Sequence, residues 1–209
     1  MIIRQIQIGG FEIFCYFLGD PNTGEGIVID PGGPAGSLLS AARESGISTI
    51  KYIVNTHSHV DHIAGNKEMV LSTGAPIAIH ELEAEALANP NRGMLAMFGA
   101  EPSPPASILL KDGDSIVFGE NSVKVIHTPG HTVGGICLHF PGYIITGDTL
   151  FVGGVGRTDL PGGSFQVLQN SIKNKLFTLP DDTVVLPGHN YGDTPTSTIG
   201  REKRENIYI

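Results

Sequence analysis

Five of the eight histidines in this chain lie, together with two aspartates, in short segments whose spacing suits metal binding. The seven candidate ligands, of which the first four form the pattern H-x-H-x-D-H, are His57, His59, Asp61, His62, His131, Asp148 and His189. Imidazole nitrogens and carboxylate oxygens are ligands that zinc, iron and manganese accept. Seven side chains are too many for one ion, but three per metal and one shared carboxylate suit two ions ~3.5–4 Å apart. The pattern therefore predicts a dinuclear metal site.

Several candidate ligands follow runs of apolar residues that are predicted as β-strands. Loops at strand ends are where α/β proteins build their sites, because the rigid strands fix the loops that carry the chemistry. The ligands placed in this way are His57 after residues 50–54, Asp148 after 143–146 and His189 after 183–186. The glycines directly before three ligands, Gly130, Gly147 and Gly188, permit tight turns and a close approach to an ion.

The other histidines and one further aspartate are interpreted separately. His80, His127 and His139 have no ligand-like neighbours, so they are interpreted as ordinary core or surface residues. Asp30 ends a predicted strand just before the Pro-Gly-Gly sequence at 31–33. Two roles remain open for Asp30: it caps this turn, or it hydrogen-bonds a ligand histidine from outside the metal's coordination shell.

Short strands and helices alternate in the first half of the chain, and short strands separated by turns dominate the second. The predicted strands cover 11–17, 26–30, 50–54, 76–79, 115–118, 123–127, 135–140, 143–146 and 183–186, and the Gly-Gly turn before the first of them predicts an opening hairpin. The predicted helices lie before Gly46, near 61–71, after Ser164 and near Ser197, whereas the Pro- and Gly-rich stretch 89–106 is too broken for long elements. Two mixed sheets facing each other with helices outside would bury these runs. We therefore predict an α/β protein, an αββα sandwich forming one domain over residues 1–209.

The composition restricts the kinds of binding partner and the cellular location that are expected. Thirteen basic and 21 acidic residues give a net charge of −8, which disfavours a broad nucleic-acid or anionic-membrane surface and favours a small-molecule substrate. No apolar run reaches a signal-peptide core or the ~20 residues of a membrane span, so a soluble cytoplasmic protein is expected. Cys15 and Cys137 form no metal or redox motif and are predicted to be buried free thiols.

The chain resembles the metallo-β-lactamase superfamily in four segments: THSHVDH at 56–62, PGHT at 129–132, GDTLF at 147–151 and PGH at 187–189. The resemblance implies the αββα sandwich and a division of the seven ligands. One metal takes His57, His59 and His131, the second takes Asp61, His62 and His189, and Asp148 bridges them. The flavin-linked diiron branch of the superfamily has an acidic residue where His59 stands, so the resemblance favours the hydrolase branches.

Within those branches, the segments 147–163 and 187–206 are similar to the short forms of glyoxalase II, the hydroxyacylglutathione hydrolases. The resemblance implies that Arg157 and Tyr191 contact glutathione. Other positions depart from the family, because Asp159 replaces a tyrosine and Pro195 replaces an asparagine. Full-length glyoxalase II also carries a C-terminal helical domain that supplies further glutathione contacts. For Arg157, a salt bridge with Asp159 or simple solvation is nearly as well supported as substrate contact.

The activity expected from this resemblance is hydrolysis of a thioester, such as S-D-lactoylglutathione, by a hydroxide that bridges two divalent ions, with zinc favoured over iron or manganese. Asp148 would hold this hydroxide, and Asp61 would orient it as well as bind metal. A thiolate with a pKa near ~8.5 leaves without help from a strong general acid. The acyl group, the thiol carrier and the oligomeric state stay open.

Three alternatives accompany this expectation. The first is a persulfide dioxygenase, in which His57, His131 and Asp148 would hold a single iron. The second is another hydrolase of the superfamily, namely a lactonase, a lactamase or a nuclease, of which the nuclease is disfavoured by the acidic charge. The third is a non-enzymatic binding module, which the complete ligand set disfavours.

Overall fold

The computed structural model describes all residues from 1 to 209 and groups them into two compact units. The first unit comprises Met1–Leu110 and Ile116–Ser122, and the second comprises Lys111–Ser115 and Val123–Ile209. Each unit contains most or all of one six-stranded mixed sheet together with helices. No helix has both the length and the apolar character that crossing a membrane requires. That the chain forms a single domain stays a prediction.

The first unit contains a sheet whose strands follow one another in sequence order. Its strands are β1 (Ile2–Ile8), β2 (Ile13–Gly19), β3 (Glu25–Ile29), β4 (Thr49–Val54), β5 (Ile77–His80) and β6 (Ile108–Leu110). Strands β1 to β3 pair antiparallel, whereas β3 to β6 pair parallel. Parallel pairing aligns Ile29 with Val54, so the loops after β3 and β4 leave the same edge of the sheet.

Five helices belong to the first unit. They are α1 (Ala35–Glu44), α2 (Val60–Ile63), α3 (Asn66–Thr73), α4 (Ala84–Ala88) and α5 (Arg92–Phe98), and a 3₁₀ turn covers Glu81–Glu83. Helix α1 buries Ala35, Leu38, Leu39 and Ala42, which is the i, i+3, i+4, i+7 stripe of an amphipathic helix. These side chains join a core formed with residues such as Phe17, Val28 and Ile53.

The second sheet has the strand order β14-β13-β10-β9-β8-β7. Its strands are β7 (Ser115–Phe118), β8 (Asn121–His127), β9 (Ile136–Phe140), β10 (Tyr143–Gly147), β13 (Val184–Pro187) and β14 (Ser197–Thr198), and β11 (Leu150–Phe151) with β12 (Gly154–Val155) forms a separate hairpin. Strands β10 and β13 are parallel and align Gly147 with Pro187. The loops that begin at Asp148 and Gly188 therefore start side by side.

Two helices and a π-helical turn complete the second unit. They are α6 (Phe165–Ser171), the turn Ile172–Leu176 and α7 (Ile199–Glu205). Ser164 caps α6 as predicted, because its hydroxyl accepts the N–H of Val167 at 3.4 Å. Leu168, Ile172 and Leu176 are buried in the core of this unit.

The predicted helix over 61–71 is divided into α2 and α3. Gly65 lies between them, and its N–H donates to the carbonyl of Pro31 at 2.7 Å. A Cβ at Gly65 would lie 2.2 Å from the carbonyl oxygen of Gly33, so this close approach requires glycine. Within 89–106, seven residues do form the short helix α5, which starts after Asn91 and ends before Gly99.

Candidate metal centre

Four predicted ligands lie in the first unit, in the segment that connects β4 to α2. His57 and His62 are buried, with 1% and 0% of their surface exposed, and His59 and Asp61 are partly buried. His59 sits at the N-terminal boundary of α2, and its carbonyl accepts the N–H of His62 at 3.0 Å. The segment thus places three imidazoles and a carboxylate within six consecutive residues.

His57 and His59 direct ring nitrogens at one another. His57 Nε2 and His59 Nδ1 lie 3.1 Å apart, and the two rings meet edge to face at 83°. Two nitrogens bound to one tetrahedral zinc at ~2.0–2.1 Å are separated by roughly 3.4 Å. The observed spacing therefore fits a pair of imidazoles that share one ion.

Asp30 fixes the rings of two predicted ligands. Its Oδ2 accepts the hydroxyl of Thr56 at 2.6 Å and lies 3.0 Å from His62 Nδ1, and its Oδ1 accepts the N–H of Thr56 at 2.8 Å. The Thr56 hydroxyl gives its hydrogen to the carboxylate and so accepts from His57 Nδ1, 3.1 Å away. Both rings then carry their proton on Nδ1 and keep the Nε2 lone pair for a metal.

Of the two roles left open for Asp30, the structure therefore shows the hydrogen bond to a histidine that is predicted to be a ligand, His62. Asp30 adopts φ of +49°, a left-handed conformation that few residues other than glycine, asparagine and aspartate accept. This conformation turns the chain sharply after β3 and leaves the carboxylate buried beside Thr56.

Asp61 lies in the first turn of α2, next to His62 in the chain. Its Oδ2 is 3.8 Å from His62 Nε2, so oxygen and nitrogen are close enough to serve one ion. The loop after β3 packs directly against this helix, because a Cβ at Gly32 would lie 2.1 Å from the Asp61 carbonyl oxygen. Glycine at position 32 is therefore needed for α2 to occupy this place.

The other three predicted ligands lie in the second unit and converge on a single oxygen. Asp148 Oδ2 is 3.4 Å from His131 Nε2 and 3.5 Å from His189 Nε2. His131 Nδ1 lies 2.7 Å from the carbonyl oxygen of Arg157, to which it donates, so its Nε2 lone pair faces Asp148. These spacings fit one carboxylate oxygen shared between two imidazole-bound ions.

Glycines hold the loops of the second unit close together around Asp148. A Cβ at Gly156 would lie 1.9 Å from the Asp148 carbonyl oxygen, and one at Gly188 would lie 2.3 Å from Asp148 Oδ1. The N–H of Gly188 donates to the carbonyl of Gly147 at 2.8 Å. The predicted close approach beside the ligands is therefore present at Gly188.

Arg157 and Tyr191, the two predicted substrate contacts, are both exposed. The Arg157 guanidinium binds Asp159 through two hydrogen bonds of 2.8 and 2.7 Å, and these raise the pKa of Arg157 and lower the pKa of Asp159 to about 2. The Tyr191 ring stacks on His189 at a centroid distance of 4.5 Å. The same ring also lies 5.5 Å from Phe151, to which it is nearly perpendicular.

The two cysteines are free and buried, as predicted. Burial raises the pKa of the Cys137 thiol to about 11 and raises that of Cys15 well above its ordinary value. Thiols that stay protonated at neutral pH are poor nucleophiles and poor metal ligands. Neither cysteine therefore has a part in this centre.

The family of this chain follows from these features and from its matches to known proteins. Residues 8–189 match the model of the metallo-β-lactamase superfamily, so the chain belongs to that superfamily and has its fold. The clusters of histidine and aspartate are consistent with metal binding. The protein is thus a metallo-hydrolase of the superfamily, as the sequence motifs predicted.

Relatives with different activities are similar to the chain at comparable levels. It is 31% identical to the hydroxyacylglutathione hydrolase GloC of Haemophilus influenzae, over 100% of this chain and 98% of that protein. It is 34% identical to the human mitochondrial persulfide dioxygenase ETHE1, over 99% of this chain and 75% of that protein. Identity alone therefore does not select the substrate.

Solved structures are similar over nearly the full chain. The crystal structure of the B3 metallo-β-lactamase BLEG-1 matches with a TM-score of 0.88 and 32% identity, over 99% of this chain and 98% of that one. The structure of TTHA1623 in a di-iron-bound form matches with a TM-score of 0.85 and 31% identity, over 99% and 100% of the two chains. The second of these proteins holds two iron ions.

Proposed function

We propose that this protein is a dinuclear metal-dependent thioester hydrolase that acts on S-acylglutathione, with S-D-lactoylglutathione as a representative substrate. The observation that carries the proposal is the placement of one Asp148 oxygen at 3.4 and 3.5 Å from the nitrogens of His131 and His189. A carboxylate oxygen that faces two imidazole nitrogens suits a ligand shared by two ions. The likeness to GloC supports glutathione as the thiol carrier.

The seven ligands divide between the two ions as the family resemblance implies. His57, His59 and His131 serve one ion, Asp61, His62 and His189 serve the other, and Asp148 serves both. Zinc suits this set of nitrogen and oxygen donors, and iron or manganese are accepted by the same donors. When bound, such ions polarise a carbonyl oxygen and lower the pKa of a coordinated water toward ~7.

The chain's own residues orient the ligands and the reacting water. Asp30 keeps the Nε2 atoms of His62 and, through Thr56, of His57 available for metal. Asp61 is partly exposed, so its carboxylate can also accept a hydrogen bond from water at the centre. The glutathione thiolate leaves unaided because its pKa is near ~8.5, so no acidic side chain is required for it.

Arg157 and Tyr191 are the proposed contacts to the glutathione part of the substrate. The Tyr191 ring is 57% exposed and covers His189, so its hydroxyl is accessible beside a predicted ligand. Arg157 is also accessible, although Asp159 now occupies its guanidinium. A carboxylate of glutathione would have to compete with Asp159 for this group.

The rival proposal is a persulfide dioxygenase, favoured by the identity to ETHE1. A single iron on His57, His131 and Asp148 gives no role to Asp61 or His62. The buried hydrogen bond between His62 and Asp30 is, however, the arrangement that orients a metal-bound imidazole. This bond favours the dinuclear proposal.

A panel of three substrates separates these proposals. Metal-replete protein is assayed with S-D-lactoylglutathione for loss of thioester absorbance, with glutathione persulfide for oxygen uptake, and with a β-lactam for ring opening. We expect thioester hydrolysis with a kcat/KM above ~10⁴ M⁻¹s⁻¹ and little turnover of the other two substrates. Oxygen uptake without thioester loss would overturn the proposal in favour of the dioxygenase.

A further inference from the structure

The turn that carries His57 and His59 has no regular backbone structure. Its conformation therefore depends on bonds made by side chains around it. The start of the turn is held at Thr56 by Asp30, and at its end the carbonyl of His59 accepts the N–H of His62 in α2. Only Ser58, which lies between the two ligands, is held by neither of these anchors.

Glu83 supplies the anchor for Ser58. One carboxylate oxygen, Glu83 Oε2, accepts the backbone N–H of Ser58 at 3.1 Å and its hydroxyl at 2.5 Å. Glu83 ends the 3₁₀ turn that follows β5, and only 1% of its surface is exposed. No sequence motif connects the two positions, which are 25 residues apart.

The two hydrogen bonds act on the geometry of both neighbouring ligands. The N–H of Ser58 belongs to the peptide plane shared with His57, so a bond to it fixes the orientation of that plane. The hydroxyl bond holds the Ser58 side chain and with it the backbone that leads into His59. Burying a carboxylate is unfavourable unless hydrogen bonds offset the loss of water, and here two such bonds come from Ser58, the residue between the two predicted ligands.

We propose that Glu83 is a positioning residue for the metal ion held by His57 and His59. This inference rests on the proposed function in taking those two histidines as ligands of one ion. Glu83 itself does not contact the ion. It lowers the cost of metal binding because the H-x-H turn is already fixed in the conformation that presents both nitrogens.

The test measures zinc affinity of the metal-stripped full chain by competition with a chelator, together with thermal unfolding of each variant. Loss of an outer partner of a metal ligand typically weakens affinity 10- to 100-fold, so we expect at least about a tenfold loss in Glu83→Ala. Glu83→Gln keeps a carbonyl oxygen that accepts both bonds, so it should remain within about threefold of the unmodified protein. Ser58→Ala loses one bond and should lie between these two.

Glu202→Ala is the matched control. Glu202 is equally buried and accepts a serine hydroxyl from Ser197 at 2.5 Å and a backbone N–H from Gly153 at 3.0 Å. Neither segment that it holds contains a predicted ligand. The control should lose thermal stability but keep zinc affinity within about twofold.

Three results would overturn the inference. If Glu83→Ala and Ser58→Ala unfold at lower temperature yet bind zinc as tightly as the unmodified protein, Glu83 is merely structural. Glu83→Gln that binds as weakly as Glu83→Ala would exclude positioning through these two bonds. If the unmodified chain binds no zinc, the proposed function itself fails. This outcome differs from the other two, in which the unmodified chain does bind zinc. If Glu83→Ala does not fold, Ser58→Ala and Glu83→Gln carry the test.

Discussion

Asp30 Oδ2 lies 3.0 Å from His62 Nδ1, and both side chains are buried. The same oxygen accepts the hydroxyl of Thr56, whose oxygen contacts His57 Nδ1. One carboxylate therefore sets the proton position on two imidazoles that the proposal assigns to different ions. Affinity for both ions should accordingly depend on a residue that touches neither.

Asp30→Asn tests this dependence without disturbing the backbone, because asparagine also tolerates the left-handed conformation at φ of +49°. The amide group presents N–H to at least one of the donors that the carboxylate accepts. We predict that metal affinity falls about 10- to 100-fold, measured by chelator competition. Asp20→Asn, at a buried aspartate that accepts the N–H of Asn22 and holds no ligand, should leave affinity unchanged. Equal affinities in the two variants would remove Asp30 from the metal centre.

His59→Ala and Asp148→Ala each remove one ligand of the proposed dinuclear centre. Metal polarisation of the reacting carbonyl contributes several kcal/mol, so kcat should fall by about 10³-fold or more in each variant. Circular dichroism should show a largely intact fold, since neither residue belongs to a hydrophobic core. His139→Ala removes a histidine outside the ligand set and serves as the control. Undiminished kcat in either ligand variant would contradict the dinuclear mechanism.

Substitutions of Arg157 and Asp159 should change the KM for substrate in opposite directions. Arg157→Ala should raise KM for S-D-lactoylglutathione about threefold, a small factor because solvent screens an exposed charge, and should change kcat less. Asp159→Ala frees the guanidinium that Asp159 now holds and should lower KM. Steady-state kinetics on both variants give the comparison. If KM is unchanged in both variants, Arg157 has no role in substrate binding and is a solvent-exposed residue of its loop.

Cys137 should make stability depend on alkaline pH. Burial raises the pKa of its thiol in the folded state to about 11, above the ~8.5 of an unfolded cysteine. The protonated thiol's contribution to the stability of the folded state is therefore complete below pH ~8.5 and is lost as pH rises toward about 11. Over this window the free energy of unfolding should fall less steeply in Cys137→Ala, by up to ~1.4 kcal/mol per pH unit. Urea unfolding of metal-stripped protein at several pH values measures both slopes, and parallel slopes would contradict the prediction.

Much of the fold could be predicted because its strands are strongly apolar. Strands β3, β4, β10 and β13 lie within a residue or two of their predicted limits, and predicted ligands follow the last three of them as expected. Strands β6, β11, β12 and β14 were missed, because strands of two or three residues leave no periodic pattern. The break between α2 and α3 was missed because it arises from a contact of Gly65 with the distant carbonyl of Gly33.

The candidate site also has a part that could be predicted from the sequence and a part that could not. The candidate ligand types and spacings are local features of the sequence, so the seven residues could be proposed as ligands without a structure. The hydrogen-bond partners of these residues and of the segment that carries them, such as the Arg157 carbonyl and Glu83, are distant in sequence and carry no motif. The pairing of Arg157 with Asp159 could be expected from their spacing, but its two-bond geometry could not.

The most direct test of the central claim is a metal titration of thioester hydrolysis. Metal-stripped protein receives zinc in steps, and hydrolysis of S-D-lactoylglutathione is measured against the bound zinc per chain. The dinuclear account predicts no turnover without metal and activity that rises until two ions are bound. Full activity at one ion per chain, or turnover in the stripped protein, would contradict it.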